Sequence, residues 1–301
     1  MEETVTVAQI YERLMELAMP LTPLDLPLLD SHGATMASDL LIDQQVAIKS
    51  GTKINSAQIA LAASLGLDRL PCRPHPRVVI ISAGDDLVEP GSKLADAEDE
   101  FESNSWFLTT FMKETGAHAF RVHTIPETSE ELKLIVEDQL VRADLIVISG
   151  ESRDESFELI NSVVSQLGEI KTIIQNLAGS GKHNYGLIGP DKTPVVTLPG
   201  DPIGNFLSAE IFIRPMILKM LAISEINRTT KKVKLSKEIN VESDKAKYLR
   251  GKLNDDGQVE PLTNQELIAT LSKANCLITL GEKDKNLKAG DLVNIIMINH
   301  G

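Results

Sequence analysis

Val78-Val79-Ile80-Ile81-Ser82-Ala83-Gly84-Asp85-Asp86 is a strand-length apolar run, rich in β-branched residues, that ends at once on a glycine and two acids. An apolar run over 78–82 without period-two alternation predicts a strand buried on both faces. The same pattern recurs at Leu145-Ile146-Val147-Ile148-Ser149 and Val195-Val196-Thr197-Leu198, with further strands expected over 119–124 and 170–174. Amphipathic helices are predicted between them over 105–114, 130–140 and 157–167, and a long one over about 202–221, with Gly116 and Gly168 as helix stops. Buried strands alternating with such helices predict an α/β fold whose parallel sheet is covered on both sides. Ligands of such sheets sit beyond the carboxyl ends of the strands, here the loops 82–87, 149–156 and 199–205.

Outward toward the N-terminus, Val7, Ile10, Leu14 and Leu17 share a helical face, Thr6 with Gln9 forms a capping box, and Pro20 ends the run. This helix is expected to cover its apolar face at a dimer interface. Residues 21–53 are turn-rich, and a helix over 54–65 closes on Gly66. Pro71-Cys72-Arg73-Pro74-His75-Pro76 reads as a stiff linker, because three prolines fix φ and remove donors. Toward the C-terminus the pattern becomes short strands over 231–239, 248–253, 258–261, 275–280 and 291–298, with a turn at Asn254-Asp255-Asp256-Gly257. The expected division is 1–76, an N-terminal helical and linker region; 77–224, an α/β domain; and 225–301, a small β domain.

The chain has 301 residues, with 30 Lys+Arg against 43 Asp+Glu, a formal charge of −13. A surface of that sign repels a phosphate backbone, so general nucleic-acid binding is excluded. Hydrophobic residues at 42% support a packed core, and no uncharged run of about 20 residues is present to span a membrane. The first six residues carry no basic cluster, so a cytoplasmic location is expected. Cys72 and Cys276 lie far apart, which predicts two reduced thiols and no C-x-x-C site.

Asp85 and Asp86 end a buried strand, where oxygen ligands could hold a Mg²⁺ against substrate phosphates; a capped, solvated turn explains them equally. The loop lacks G-x-G-x-x-G, which removes a nicotinamide dehydrogenase. The second loop, with Ser149 and Gly150, enters a helix whose free N–H groups suit an anion, although Glu151, Asp154 and Glu155 oppose one. In the third, Asp201 suits an N-cap and Pro202 the first helical position. Gly179-Ser180-Gly181-Lys182-His183 reads as a mobile glycine-rich loop with one ammonium and no Walker spacing. The acidic run from Glu89 to Glu102, opposed only by Lys93, reads as a solvated face.

Several stretches in order resemble the molybdopterin molybdenumtransferase family, the bacterial MoeA proteins and the E domain of gephyrin. They are Ser82-Ala83-Gly84-Asp85-Asp86-Leu87-Val88-Glu89-Pro90-Gly91, similar to S-T-G-D-E-L-x-x-P-G; Phe101-Glu102-Ser103-Asn104-Ser105, similar to Y-D-S-N-S; and Leu198-Pro199-Gly200-Asp201-Pro202, similar to L-P-G-N-P. The resemblance implies a MogA-like central domain, a homodimer, and molybdenum cofactor biosynthesis. Family members bind adenylylated molybdopterin and, with Mg²⁺ and molybdate, hydrolyse the adenylate while inserting molybdenum into the dithiolene. Carried over, Asp85 is the metal-linked catalytic acid, with Asp86 beside it at the metal. Asn104 and Ser105 line the pocket, Gly150 is a backbone donor and Lys182 an anion contact. Gly84, Ser149, Pro199, Gly200 and Asp201 complete the expected substrate-binding set.

The chain also departs from the family pattern. The inserted family domain, with its P-x-x-D-N-S-A-M-D-G-Y-A segment, is missing near 46–48. Glu151 stands for a glycine and Ser156 for an acid in the second loop; Asp201 replaces an asparagine, trading donors for acceptors. Two readings follow: a reduced molybdotransferase, or a catalytically inactive family member acting as a dimeric scaffold or partner-binding protein.

Overall fold

The protein is described here by a computed structural model covering residues 3–83, 87–95, 99–122, 128–150, 154–175, 182–241, 245, 247–265, 268–281 and 283–298, with the side chains of 154–156 and 175 excepted. The strand Arg77–Ala83 lies within a seven-stranded sheet. From one edge the order is Glu3–Val5, Gly168–Gln175, Lys182–Ile188, Thr193–Leu198, Leu145–Gly150, Arg77–Ala83 and His118–Arg121. Six of these run the same way, and Lys182–Ile188 runs against both its neighbours. The α/β architecture with a parallel-rich sheet is therefore as the sequence predicts, with one antiparallel strand added where a mobile loop was expected.

Alternate residues of the central strands feed two cores, as a pleated strand requires. Val78, Ile80, Leu145 and Val147 face the helices Val7–Leu17 and Asn104–Thr115 and the long helical run 202–220. Val79, Ile81, Ile146 and Ile148 face the helices Ser129–Leu140 and Asp154–Leu167. The long helix is α-helical over Pro202–Ser208, π-helical over Ala209–Ile213 and α-helical again over Arg214–Met220. Pro215 has no N–H for the carbonyl four residues back, and the wider turn, with Arg214 N donating to Ala209 O, absorbs the mismatch.

Two expectations need correction. The capping box of Thr6 and Gln9 forms, but Ile10, Leu14 and Met15 are buried against the chain's own core and not against a second copy. The supposed linker is half a strand: Arg69–Arg73 pairs with Leu24–Pro27 and Thr35–Met36, and Cys72 lies buried in that lobe's core with Met36, Ile54 and Leu70. Pro71 still contributes its carbonyl there, which accepts from Ala37 N. Both cysteines are free and buried, in different cores. Burial raises the Cys72 thiol and lifts Cys276 to about 11.

The C-terminal strands Thr230–Leu235, Gln258–Pro261, Lys247–Leu253, Cys276–Leu280 and Leu292–Met297 close into a barrel. The turn at 254–257 is held by Asn254 Oδ1 accepting from Gln258 N, with Gly257 at φ +75°. Leu277 and Ile298 pack onto Phe206 and Leu207, so the barrel docks on the long helix one turn beyond its start. No helix among the described residues is long and apolar enough to cross a membrane.

Candidate functional site

Leu198, Gly150 and Ala83 are the last residues of three neighbouring parallel strands. In register Ser149 lies between Leu198 and Ser82, so its hydroxyl and that of Ser82 project from the same face. The helix Asn104–Thr115 starts at this edge, and Asn104 ties the loops together: its Nδ2 donates to Ser149 Oγ at 3.1 Å and to Gly200 O at 2.7 Å. Asn205, buried in the first turns of the long helix, makes a second tie, donating to Ser149 Oγ at 2.9 Å and Pro199 O at 3.1 Å. Its Oδ1 is buried without a partner. Asp201 caps the helix as its sequence position predicts, accepting from Gly204 N at 2.7 Å. The donor lost at position 201 is thus replaced, within the protein, by a capping acceptor.

Beside this junction lies a buried ionic cluster. Glu102, 1% exposed, accepts from Ser82 Oγ at 2.8 Å, Ser105 N at 2.7 Å and Ser105 Oγ at 2.6 Å. Arg121 donates from Nε to Ser105 Oγ at 2.6 Å and pairs with both Glu89 and Glu102. Its guanidinium lies 4.5 Å from the centre of the half-exposed Trp106 ring. The solvated-face reading of the acidic run is therefore wrong at its end: Glu102 is an interior residue, because a cation and three donors compensate its charge.

On the opposite face of the sheet, Lys182 opens its strand with Nζ 5.5 Å from the centre of the Phe157 ring, near the start of the helix that follows Gly150. Asn184 accepts from Thr172 Oγ1 at 2.7 Å and donates from its backbone to Thr197 Oγ1, leaving Nδ2 buried without a partner. Because this strand is antiparallel, its beginning lies at the same edge as the ends of the parallel strands. A Cβ on Gly150 would stand 2.4 Å from Ile160 Cδ1, so a larger residue there would have to displace the end of that side chain.

Of the predicted residues, Asn104, Ser105, Ser149, Gly150, Lys182, Pro199, Gly200 and Asp201 all fall at this edge. Gly84, Asp85 and Asp86 lie outside the described residues, as do Glu151, Arg153 and 179–181. Sequence reasoning missed Arg121, Asn205 and the interior role of Glu102. No local signal marked Arg121; Glu102 had one, its place in the Phe101-Glu102-Ser103-Asn104-Ser105 stretch. Among the described residues no group of three or more His, Cys, Asp or Glu could hold a metal ion. A cavity of about 570 Å³ lined by Leu17, Arg77, Asp144 and Lys192 touches none of the predicted residues.

Comparison with known proteins matches residues 79–219 to a probable molybdopterin binding domain and residues 232–298 to the MoeA C-terminal region, domain IV. Molybdopterin molybdenumtransferase 1 of Mycobacterium tuberculosis is 29% identical over 276 residues, covering 88% of this chain and 65% of that protein. Gephyrin of Dictyostelium discoideum is 25% identical over 304 residues, covering 88% and 42%. The chain thus spans 65% of the length of the molybdenumtransferase it matches. A crystal structure of a molybdopterin biosynthesis moea protein from Pyrococcus horikosii superposes with a TM-score of 0.82 at 16% identity, over 99% of this chain and 100% of that one, which shows the shared fold.

Proposed function

The chain belongs to the MoeA-like family, and on that footing we propose that it acts in molybdenum cofactor biosynthesis in the cytoplasm, binding adenylylated molybdopterin at the carboxyl edge of its sheet and passing molybdate to it. The observation that supports this is the junction in which Asn104 joins Ser149 to Gly200, because it gathers the ends of the second and third loops into one site. Lys182 supplies positive charge at the same edge, and the buried pair of Arg121 and Glu102 holds Ser105 and Ser82 in place. In this reading Asp85 and Asp86 would hold a Mg²⁺, which would supply charge against the pyrophosphate; the described residues alone do not make such a site, and Glu102 is occupied by protein donors.

A second reading, a non-catalytic dimeric scaffold or partner-binding protein, is favoured by one observation. The family inserts a domain near 46–48, whereas here Leu40–Ile42 and Gln45–Ile48 close a tight hairpin. Single-turnover release of AMP from adenylylated molybdopterin, with Mg²⁺ and molybdate, separates the two. Release that requires molybdate and is lost in Asp85→Ala establishes transfer; no release above buffer moves the function to binding or scaffolding.

A further inference from the structure

The orientation of the Asn104 and Asn205 amides is dictated by backbone carbonyls, which can only accept. Asn104 Nδ2 lies 2.7 Å from Gly200 O and Asn205 Nδ2 lies 3.1 Å from Pro199 O, so turning either amide over would set oxygen against oxygen. Both nitrogens therefore also donate to Ser149 Oγ, at 3.1 and 2.9 Å. A hydroxyl has two lone pairs and one hydrogen. With both lone pairs taken, the Ser149 hydrogen occupies the remaining tetrahedral position, and no acceptor among the described residues meets it. Ser149 is 2% exposed, so bulk water does not freely resolve the choice.

We propose that Asn205 is a positioning residue that, together with Asn104, commits Ser149 to donating its hydrogen bond, so that this junction selects an oxygen bearing only lone pairs. The ligand class is an oxyanion, preferred over a hydroxyl or an amine. Neither amide contacts this ligand in the proposal; each acts by filling a lone pair of Ser149. Asn205 also explains how the loop tolerates an acid at position 201. The Asp201 carboxylate is engaged by Gly204 N, and the donor to the loop comes from Asn205, one helical turn further on. This inference rests on the reading of the sheet's carboxyl edge as an anion site.

Two experiments test its halves separately. Neutron diffraction from the perdeuterated, ligand-free protein should show the Asn205 amide deuterons pointing at Ser149 Oγ and Pro199 O, with the Ser149 deuteron turned away from both amides. A Ser149 deuteron directed at either amide overturns the proposal whatever the ligand. Calorimetric titration with molybdate should then show affinity falling at least about fivefold in Ser149→Ala and in Asn205→Leu, with the double variant no weaker than Ser149→Ala. Losses that multiply would mean that Asn205 acts through the loop backbone alone and would overturn it, as would unchanged affinity in Ser149→Ala. Failure of the wild-type protein to bind molybdate overturns the oxyanion half along with the functional reading, while the deuteron positions still decide the amide half.

Discussion

Glu102 closes a run of acids, and charge patterning by itself assigns such a run to solvent. Its burial follows from partners far away in sequence: Ser82 on the central strand and Arg121 on the edge strand. Removing one member of such a cluster leaves the other charge buried with fewer partners. Glu102→Ala should therefore lower stability by about 3–5 kcal/mol, read as a lower urea midpoint at unchanged slope. His183 makes the opposite point about charge. Burial lowers its imidazole to about 4, and its Nδ1 lies 3.1 Å from Thr197 O, so the neutral ring donates to that carbonyl. Between about 6.5 and about 4 the unfolded chain binds the proton and the folded chain does not, so stability falls as pH falls through that window. The loss is of order 3 kcal/mol at the lower limit, and stops growing below it, where both states are protonated. Urea unfolding of wild type and His183→Gln between pH 7.5 and 4 should show the difference between them shrinking as the solution is acidified.

Among the elements, the strand Lys182–Ile188 was invisible in the sequence because its first residues are polar and follow a glycine-rich stretch. Its pairing is enforced by backbone proximity: a Cβ on Gly186 would stand 2.0 Å from Glu169 O, and one on Gly168 2.1 Å from Leu187 O. Gly168, read as a helix stop, is thus also the first residue of a strand pressed against its neighbour. Gly186→Ala should cost roughly 2 kcal/mol or more, since backbone on both sides must move, and hydrogen exchange should rise across both strands. The hairpin at 40–48 carries Asp43 at φ +48° and Gln44 at φ +66°, a left-handed pair that side chains disfavour. Gln44→Gly should raise the melting temperature, by an amount equivalent to roughly 0.5–1 kcal/mol, with no change in the rest of the fold. An unchanged or lower melting temperature would show that the turn is held by contacts other than its backbone preference.

At the scale of the molecule, the opening helix is part of the α/β core, with Leu14 buried in the same cluster as Met216 and Met220. Leu14→Ala should destabilise the protein by about 3 kcal/mol while leaving its sedimentation coefficient unchanged, because the face it thins is covered within the chain. A shift toward smaller species would return this helix to a subunit interface. The N-terminal lobe meets the α/β domain at His75, whose ring nitrogens approach His32 O and Gly116 O and whose ring stacks on His118 at 4.6 Å between centroids. Burial and the charge of His75 lower the His118 imidazole. On the other side the barrel is anchored through Phe206 and Leu207, on the same helix that carries Asn205. The residue that ties two candidate-site loops together is therefore followed directly by the two side chains on which the barrel packs.

The unbroken apolar runs at 78–82, 145–149 and 195–198 determined the buried strands, and with them the edge at which sheets of this kind bind ligands, because hydrophobic pattern and strand direction are local properties. The ordered loop motifs likewise pointed to the family, and the helix caps at Thr6 and Asp201 were legible because a cap is a contact over three residues. Only the tertiary structure decided that Glu102 is interior, that Asn205 faces Ser149, and that an antiparallel strand carries Lys182 to the site. The first two depend on groups well separated in the chain, 20 residues for Ser82 to Glu102 and 56 for Ser149 to Asn205, and the third on pairing with the strands to either side. Composition and spacing carry no record of such pairings, because the free energy of a buried polar group is set by which partners the fold brings to it.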